Sequence, residues 1–186
     1  MPAISAGCFL RAMPSSATPD VQCSIALYSV HNFGDALDPF SGFTITCTLL
    51  RPESHGHVRI KSADPRQAPA IHPNYLASQK DRDTLLAGVK VLRRFAQTPA
   101  LARHIAAEVD PGPQCQDDDA LLDFIRHRGS TVYHPVSTCR MGQDARSVVD
   151  ERLKVRGFQR LRVIDASIMP EVVSGNTNAA TIMIAE

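Results

Sequence analysis

The stretch YHPVSTCRMG, residues 133–142, opens the last quarter of the chain, and GNTNAATIMIAE, residues 175–186, closes it. Pro135 disfavours helical backbone at the residue before it, so His134 is held in an extended loop. Between the two segments, LRVIDASIMP (residues 161–170) begins as a short apolar strand and ends in small and polar residues. The order loop, strand, polar turn and helix is typical of places where a polar ligand meets an α/β layer.

These segments, together with Val148-Val149-Asp150, resemble the C-terminal signature of the glucose–methanol–choline (GMC) family of flavin oxidoreductases, particularly its choline-dehydrogenase-like bacterial members. Several motifs occur in one order and at compatible spacings, which is more specific than any single motif. Weaker matches extend back through Pro73-Asn74-Tyr75 and Ala63-Asp64-Pro65 to residues 49–54. The resemblance therefore covers most of the chain, from Phe43 onward.

The resemblance implies a catalytic pair, His134 and Asn176. Oxidation of an alcohol removes a hydroxyl proton and a hydride from the same carbon. An imidazole can accept the proton, and the family's flavin accepts the hydride at N5. The family has His or Asn at the position of Asn176, whose amide can donate to the substrate oxygen as negative charge develops. The simpler alternatives are that His134 is an ordinary surface or core histidine and that Gly175-Asn176 only shapes a turn.

The resemblance also implies that FAD is bound by Asp165 and Ala166, in the turn that leads back to the dinucleotide domain, and by Asn178 and Ala179, at the start of the last helix. Unpaired N–H groups at a helix N-terminus favour nearby negative charge. The simpler alternatives are that the turn is only a polar strand end and that Asn178 is only a helix cap. Arg140 is expected to pair with a carboxylate.

No GxGxxG motif for an adenine dinucleotide occurs in the sequence. We therefore expect the chain to be the C-terminal part of a longer FAD-dependent alcohol dehydrogenase or oxidase, with FAD held by the complete enzyme. Residues 1–160 are expected to form a substrate-binding domain, incomplete at its N-terminal side. Residues 161–186 are expected to return to the missing FAD-binding domain. Two alternatives stay open: an inert folded fragment, and a flavin-containing lyase of the same family that does no redox chemistry.

The composition is that of a globular protein: 44% of the residues are hydrophobic, 21% are charged and the net charge is +1, which excludes a basic nucleic-acid footprint. No apolar run is long enough to span a bilayer and no signal peptide is evident, so a cytoplasmic location is expected, with peripheral membrane association open. Five scattered cysteines without a CxxC pair argue against a disulfide framework and a structural zinc site. The expected partner is a small alcohol; which alcohol, and whether the protein is a homo-oligomer, stay open.

The predicted fold class is α+β, with a mostly antiparallel sheet packed by helices. Residues 42–50 alternate between apolar residues and threonines, which indicates a strand, and we expect it to pair with a strand over 57–62. Residues 161–164 are predicted to form a buried strand. Ser78 and Asp117 are expected to cap helices with their side chains. The other predicted elements are strands over 8–10 and 21–31, helices near 79–97, 99–107 and 118–128, a rigid loop over 64–75, and a last helix beginning at Asn178 or Ala179.

Overall fold

The computed structural model describes residues 4–30 and 35–186, and within these residues the protein has two small antiparallel sheets and four α-helices. The strands are β1 (Ala6–Leu10), β2 (Val21–Ala26), β3 (Thr44–Leu49), β4 (His57–Arg59) and β5 (Ala70–His72). The helices are α1 (Gln79–Ala96), α2 (Pro99–Ala102), α3 (Asp118–Arg128) and α4 (Asn178–Ala185), with a 3₁₀ turn at Ala166–Ile168. The α+β class is confirmed, but the prediction of a single sheet is wrong, because the strands divide between two separate sheets.

The chain divides into two compact units. Unit 1 comprises Met1–Leu50 and Ser78–Val132, and unit 2 comprises Arg51–Ala77 and Tyr133–Glu186. The predicted boundary between residues 160 and 161 concerns the domains of a longer protein and stays a prediction. Among residues 4–30 and 35–186, no helix is both long enough and apolar enough to cross a membrane.

The base of unit 1 is a three-stranded sheet in the order β1-β2-β3, antiparallel throughout. Helix α1 packs against β3 and β2. Gly88 of α1 lies over Cys47, and a Cβ added to Gly88 would overlap the Cys47 sulfur. Glycine therefore lets the helix approach the sheet more closely than a larger residue would. Strand β2 ends at Ala26, earlier than predicted, and the predicted last position, residue 31, lies outside the described residues.

Helices α1 and α3 begin and end close to the predicted positions. Ser78 occupies the N-cap position of α1 but makes no side-chain capping bond, so the predicted role of its hydroxyl is wrong. Asp81 in the first turn supplies the negative charge that suits this end of the helix. The Asp117 carboxylate accepts the Ala120 N–H at 2.8 Å, as predicted, and α3 stops at Gly129.

Arg93 of α1 fixes the loop that precedes α3. Its guanidinium donates to the Glu108 carboxylate at 2.9 Å and to the carbonyl oxygens of Cys115, at 2.7 Å, and Gly112, at 3.1 Å. Helix α2 ends at Ala102, well before the predicted residue 107, because the backbone continues with the tighter i→i−3 bonds that often close a helix.

Asp20 closes the connection between β1 and β2. Its side chain is buried, and its carboxylate accepts the Ala12 N–H at 2.6 Å, the Met13 N–H at 3.0 Å and the Ser16 hydroxyl at 2.5 Å. Burial by itself would raise the pKa of Asp20, but these hydrogen bonds hold the pKa below its ordinary value. The ionised carboxylate therefore stabilises unit 1.

The Asp20→Asn variant is expected to be less stable than the wild type at pH 7, by about 1–3 kcal/mol. Asparagine replaces one accepting oxygen with an NH₂ group, which would face the N–H and O–H donors that bond to the carboxylate. The lowered folded-state pKa means that the wild-type advantage is complete above about pH 4, where an unfolded Asp titrates. The advantage is lost as the pH falls through the folded value. Urea unfolding of both proteins across this range measures the difference, and a difference independent of pH would contradict the prediction.

Strands β4 and β5 form a separate antiparallel ribbon in unit 2. His57 lies opposite His72, and the two imidazole rings stack with their centroids 4.7 Å apart. The predicted pairing of β3 with β4 is wrong, because β3 pairs with β2 while β4 pairs with a strand inside the predicted rigid loop. Pro69 and Pro73 flank β5, and prolines at the two ends of a short edge strand leave its ladder bonds intact.

The segment from Met141 to Arg162 is joined by isolated bridges rather than by full strands. Leu161 and Ile164 are 47% and 48% exposed, so the predicted buried strand over 161–164 is wrong. A strand buries an apolar face only when another layer covers it, and in the described part of the chain residues 161–164 make a single bridge. The bridges are Met141 with Val149, Val149 with Val155, and Lys154 with Arg162.

Candidate functional site

His134 lies in a loop with an unusual backbone at both ends. Tyr133 has a φ of 59° and Ser137 a φ of 75°, in the left-handed region that strains residues other than glycine. Pro135 restricts the chain between them, and the His134 side chain is half-buried. Such strain persists only where the surroundings determine the conformation, so this loop must be fixed by its neighbours.

The loop is fixed onto residues 165–170. The Ser137 hydroxyl shares its single proton between two carbonyl oxygens, that of Met169 at 2.8 Å and that of Pro170 at 3.0 Å. The two chains are further joined by backbone bonds, Cys139 N–H to the Ser167 carbonyl at 3.0 Å and Met141 N–H to the Ile168 carbonyl at 2.8 Å. Ile168 and Met169 are buried, which anchors the segment that receives these bonds.

Two substitutions at Ser137 separate its hydrogen bonds from its backbone strain. Ser137→Ala loses the bonds and keeps the strain, so we expect it to lower the free energy of unfolding by about 1 kcal/mol. Ser137→Gly loses the same bonds but relieves a strain of about 1 kcal/mol, so it is expected to stay close to the wild type. Urea unfolding measures both variants, and a glycine variant less stable than the alanine variant would contradict the prediction.

Arg140 shapes the chain that follows the His134 loop. It donates to the Asp144 carboxylate at 2.7 Å, which confirms the predicted pairing with a carboxylate. The Arg140 guanidinium, with the Arg146 N–H and the Ser147 hydroxyl, holds the pKa of Asp144 well below its usual range. A Cβ on Gly142 would lie 2.5 Å from the Ser147 hydroxyl oxygen, so a larger residue would displace the Ser147 side chain from its place.

Asp165 begins the 3₁₀ turn. Its carboxylate accepts the Ser167 N–H at 2.8 Å, and the hydrogen bonding with Ser167 lowers the pKa of Asp165. The Asp165 side chain thus caps the 3₁₀ turn, but the predicted strand before it does not form, and a role of Asp165 and Ala166 in FAD binding stays a prediction. Asp165 is exposed and Ala166 is half-buried, so solvent or a ligand can reach the Asp165 carboxylate.

Helix α4 begins at Asn178, as predicted, but its N-cap is Thr177, so the alternative in which Asn178 is the cap is wrong. The Thr177 carbonyl accepts the N–H of Thr181 at 2.9 Å and its hydroxyl at 2.8 Å, while the Thr177 side chain makes no capping bond. The first turn carries no acidic residue, and Asn178 and Ala179 are exposed. This helix start therefore has the donor character that suits an anionic group.

These contacts bring most of the predicted site segments into one part of unit 2. The loop after His134 is bonded to residues 165–170, and the 3₁₀ turn packs against α4. Asn176 is exposed and precedes the N-cap of α4 by one residue. The approach of the His134 imidazole to the Asn176 amide stays a prediction.

Arg51 holds the site from a distant part of the chain, by donating to the Ser174 hydroxyl at 2.6 Å, and no sequence motif assigned it this role. This bond holds the chain immediately before Gly175 and Asn176. The two residues lie 123 positions apart, and only the weak match over residues 49–54 pointed to Arg51.

The chain from residue 52 to residue 185 matches the family described as GMC oxidoreductase. The chain belongs to this family. It is 44% identical over 180 residues to the alcohol dehydrogenase [acceptor] of Pseudomonas putida, a match that covers 97% of this chain and 33% of that protein. It is 40% identical over 181 residues to the oxygen-dependent choline dehydrogenase of Escherichia coli, again with 97% of this chain and 33% of that protein.

Solved structures give the same result for this GMC oxidoreductase chain. Pyridoxine 4-oxidase from Mesorbium loti superposes with a TM-score of 0.90 at 27% identity, covering 98% of this chain and 36% of that one. A fungal aryl-alcohol oxidase superposes with a TM-score of 0.73 at 28% identity, covering 90% of this chain and 26% of that one. The predicted family is confirmed, and the chain spans about a third of the length of the curated relatives named above.

Proposed function

We propose that this GMC oxidoreductase chain supplies the alcohol-binding and catalytic portion of an FAD-dependent alcohol dehydrogenase or oxidase. The observation that carries the proposal is the strained His134 loop, which is clamped by hydrogen bonds onto residues 165–170. That segment packs in turn against α4, whose first turn lacks a capping side chain. The similarity to an alcohol dehydrogenase over 97% of the chain supports the substrate class.

The residues of this part of the chain fit an anionic cofactor such as FAD. The first N–H groups of α4, at Asn178 and Ala179, would donate to negatively charged or carbonyl oxygen atoms. Asp165, exposed and held ionised by its hydrogen bonding with Ser167, would accept from hydroxyl groups, with Ala166 beside it. Bound FAD would supply the hydride acceptor.

In this proposal His134 is the base. A ring nitrogen of the half-buried imidazole takes the proton from the substrate hydroxyl. The Asn176 amide donates a hydrogen bond to the same oxygen and stabilises the negative charge that develops there. An amide cannot accept the proton at neutral pH, so the two residues have separate roles.

Residues 161–186 are proposed to pack against an FAD-binding domain of the complete protein. Leu161, Ile164, Ile182 and Met183 are all large apolar residues with about half or more of their surface exposed. Covering such side chains with another layer would release water from apolar surface and stabilise the assembly.

The test is the visible spectrum of the complete protein and of this chain alone, each incubated with FAD and passed through gel filtration. We expect the complete protein to retain FAD and to lose its flavin absorbance when a primary alcohol is added without oxygen. The chain alone is expected to retain little FAD and to be inactive. Retained flavin that no alcohol in a broad panel bleaches would overturn the redox proposal and favour the lyase alternative.

A further inference from the structure

Three of the five cysteines form a row across the sheet of unit 1. Cys8 of β1 lies directly opposite Cys23 of β2, and Cys23 lies directly opposite Cys47 of β3. Residues directly opposite one another in an antiparallel sheet project from the same face. The three thiols therefore lie side by side on the face that α1 covers at Gly88.

The separations in this row suit covalent chemistry between neighbours. Directly opposite Cα atoms in antiparallel strands lie about 4.5–5.5 Å apart, and disulfides bridge Cα atoms about 4.4–6.8 Å apart. A linear row is a poor ligand set for a metal ion, and in the described part of the chain no cluster of three or more His, Cys, Asp or Glu residues could hold one.

The row also has one open end. Cys8 is exposed on the edge strand β1, Cys47 is half-buried, and Cys23 between them is 3% exposed. A dissolved oxidant therefore reaches Cys8 first, whereas Cys23 is reached through its neighbour.

The hydrogen bond from the Cys47 thiol lowers the pKa of Cys23 against the effect of its burial, and the same contact with Cys23 raises the pKa of Cys47. Partial covering of its sulfur and the contact with Cys23 raise the pKa of Cys8. The contacts with Cys47 and Cys8 on its two sides thus favour the thiolate of Cys23, and a thiolate is the attacking species in disulfide formation.

We propose that Cys8 and Cys23 form a peroxide-driven cross-strand disulfide, with Cys47 as the residue that positions and polarises Cys23. A hydroperoxide oxidises the Cys8 sulfur to a sulfenic acid and is itself reduced, to water in the case of hydrogen peroxide. The Cys23 thiolate then attacks the Cys8 sulfur, the S–S bond forms as the S–O bond breaks, and the released hydroxide takes a proton to become water. With hydrogen peroxide, the balance is two thiols and one peroxide to one disulfide and two waters.

The experiment treats the reduced complete protein with limited hydrogen peroxide, counts free thiols and maps cross-links by peptide mass spectrometry. We expect two of the five free thiols of this chain to disappear, with loss of the mass of two hydrogens and a single cross-link between Cys8 and Cys23. Cys8→Ser, at an exposed site that tolerates a polar residue, should abolish the cross-link. Cys139→Ser, outside the sheet, should leave it unchanged.

Dimedone, which traps sulfenic acid, separates the two steps. In Cys23→Ala the Cys8 sulfenic acid should accumulate and be trapped. In Cys47→Ala the fraction trapped should rise at the expense of the disulfide, while the total oxidation of Cys8 stays unchanged, a result that loss of packing alone would not produce. Cys8 oxidised to sulfinic acid in the wild type without a cross-link, or a cross-link that includes Cys47, Cys115 or Cys139, would overturn the proposal.

Discussion

Replacing His134 with alanine is expected to slow alcohol oxidation by about 100- to 10,000-fold, the range usual for removal of a general acid–base group. The variant keeps the loop, because the bonds from Ser137, Cys139 and Met141 that fix it do not involve the imidazole. The base acts in the transition state, so kcat and kcat/KM should fall together while KM changes little. The measurement is the rate at which an alcohol bleaches the flavin of the complete protein without oxygen.

His55 provides the matched control for His134→Ala. It lies in the same unit, its side chain is exposed, and the bond it accepts from Asn74, at 2.9 Å, is made by its backbone carbonyl. His55→Ala should therefore oxidise alcohol at the wild-type rate. Added imidazole should restore part of the rate in His134→Ala, because it replaces the missing base in solution. A wild-type rate in His134→Ala, with flavin bound, would remove His134 from the chemistry.

The local elements of this fold were predictable where the signal lies within the element. The alternation over residues 42–50 and the Asp117 cap of α3 each depend on nearby residues, and β3 and α3 form at their predicted places. Pairing was not predictable, because β4 pairs with β5 inside a proline-rich segment that propensity assigns to a loop. The apolar composition of a segment does not show whether another layer of the fold covers it. For this reason residues 161–164 were wrongly predicted to be buried.

For the candidate site, too, short contiguous motifs were predictable and contacts between distant residues were not. The motifs around His134 and Asn176 could be found in the sequence because each is contiguous and resembles a family signature. The bonds that hold the site together join residues far apart in sequence, such as Ser137 with Met169 and Arg51 with Ser174. The row of Cys8, Cys23 and Cys47 was hidden for the same reason, because only the strand register reveals that scattered cysteines are neighbours.

Gly56→Ala is expected to disrupt the β4–β5 ribbon and to lower the free energy of unfolding by about 3 kcal/mol, at the upper end of the usual cost of overpacking. A Cβ on Gly56 would overlap the backbone carbonyl oxygen of His72 and would lie 2.5 Å from that of Pro73. A side chain can rotate away from such a contact, but these carbonyls belong to the last residue of β5 and to the residue after it, so moving them disturbs the pairing of His57 with His72.

Gly175→Ala is the control for this steric effect, because a Cβ on Gly175 would have no neighbour within 4 Å. Its stability is expected to stay within about 0.5 kcal/mol of the wild type, as for most open surface sites. Hydrogen exchange locates the damage: in Gly56→Ala the amides of β4 and β5 should exchange faster while those of β2 keep their protection, since β2 belongs to the other sheet. Equal losses of stability in the two alanine variants, or protected β4 amides in Gly56→Ala, would show that the close approach at Gly56 does not control this ribbon.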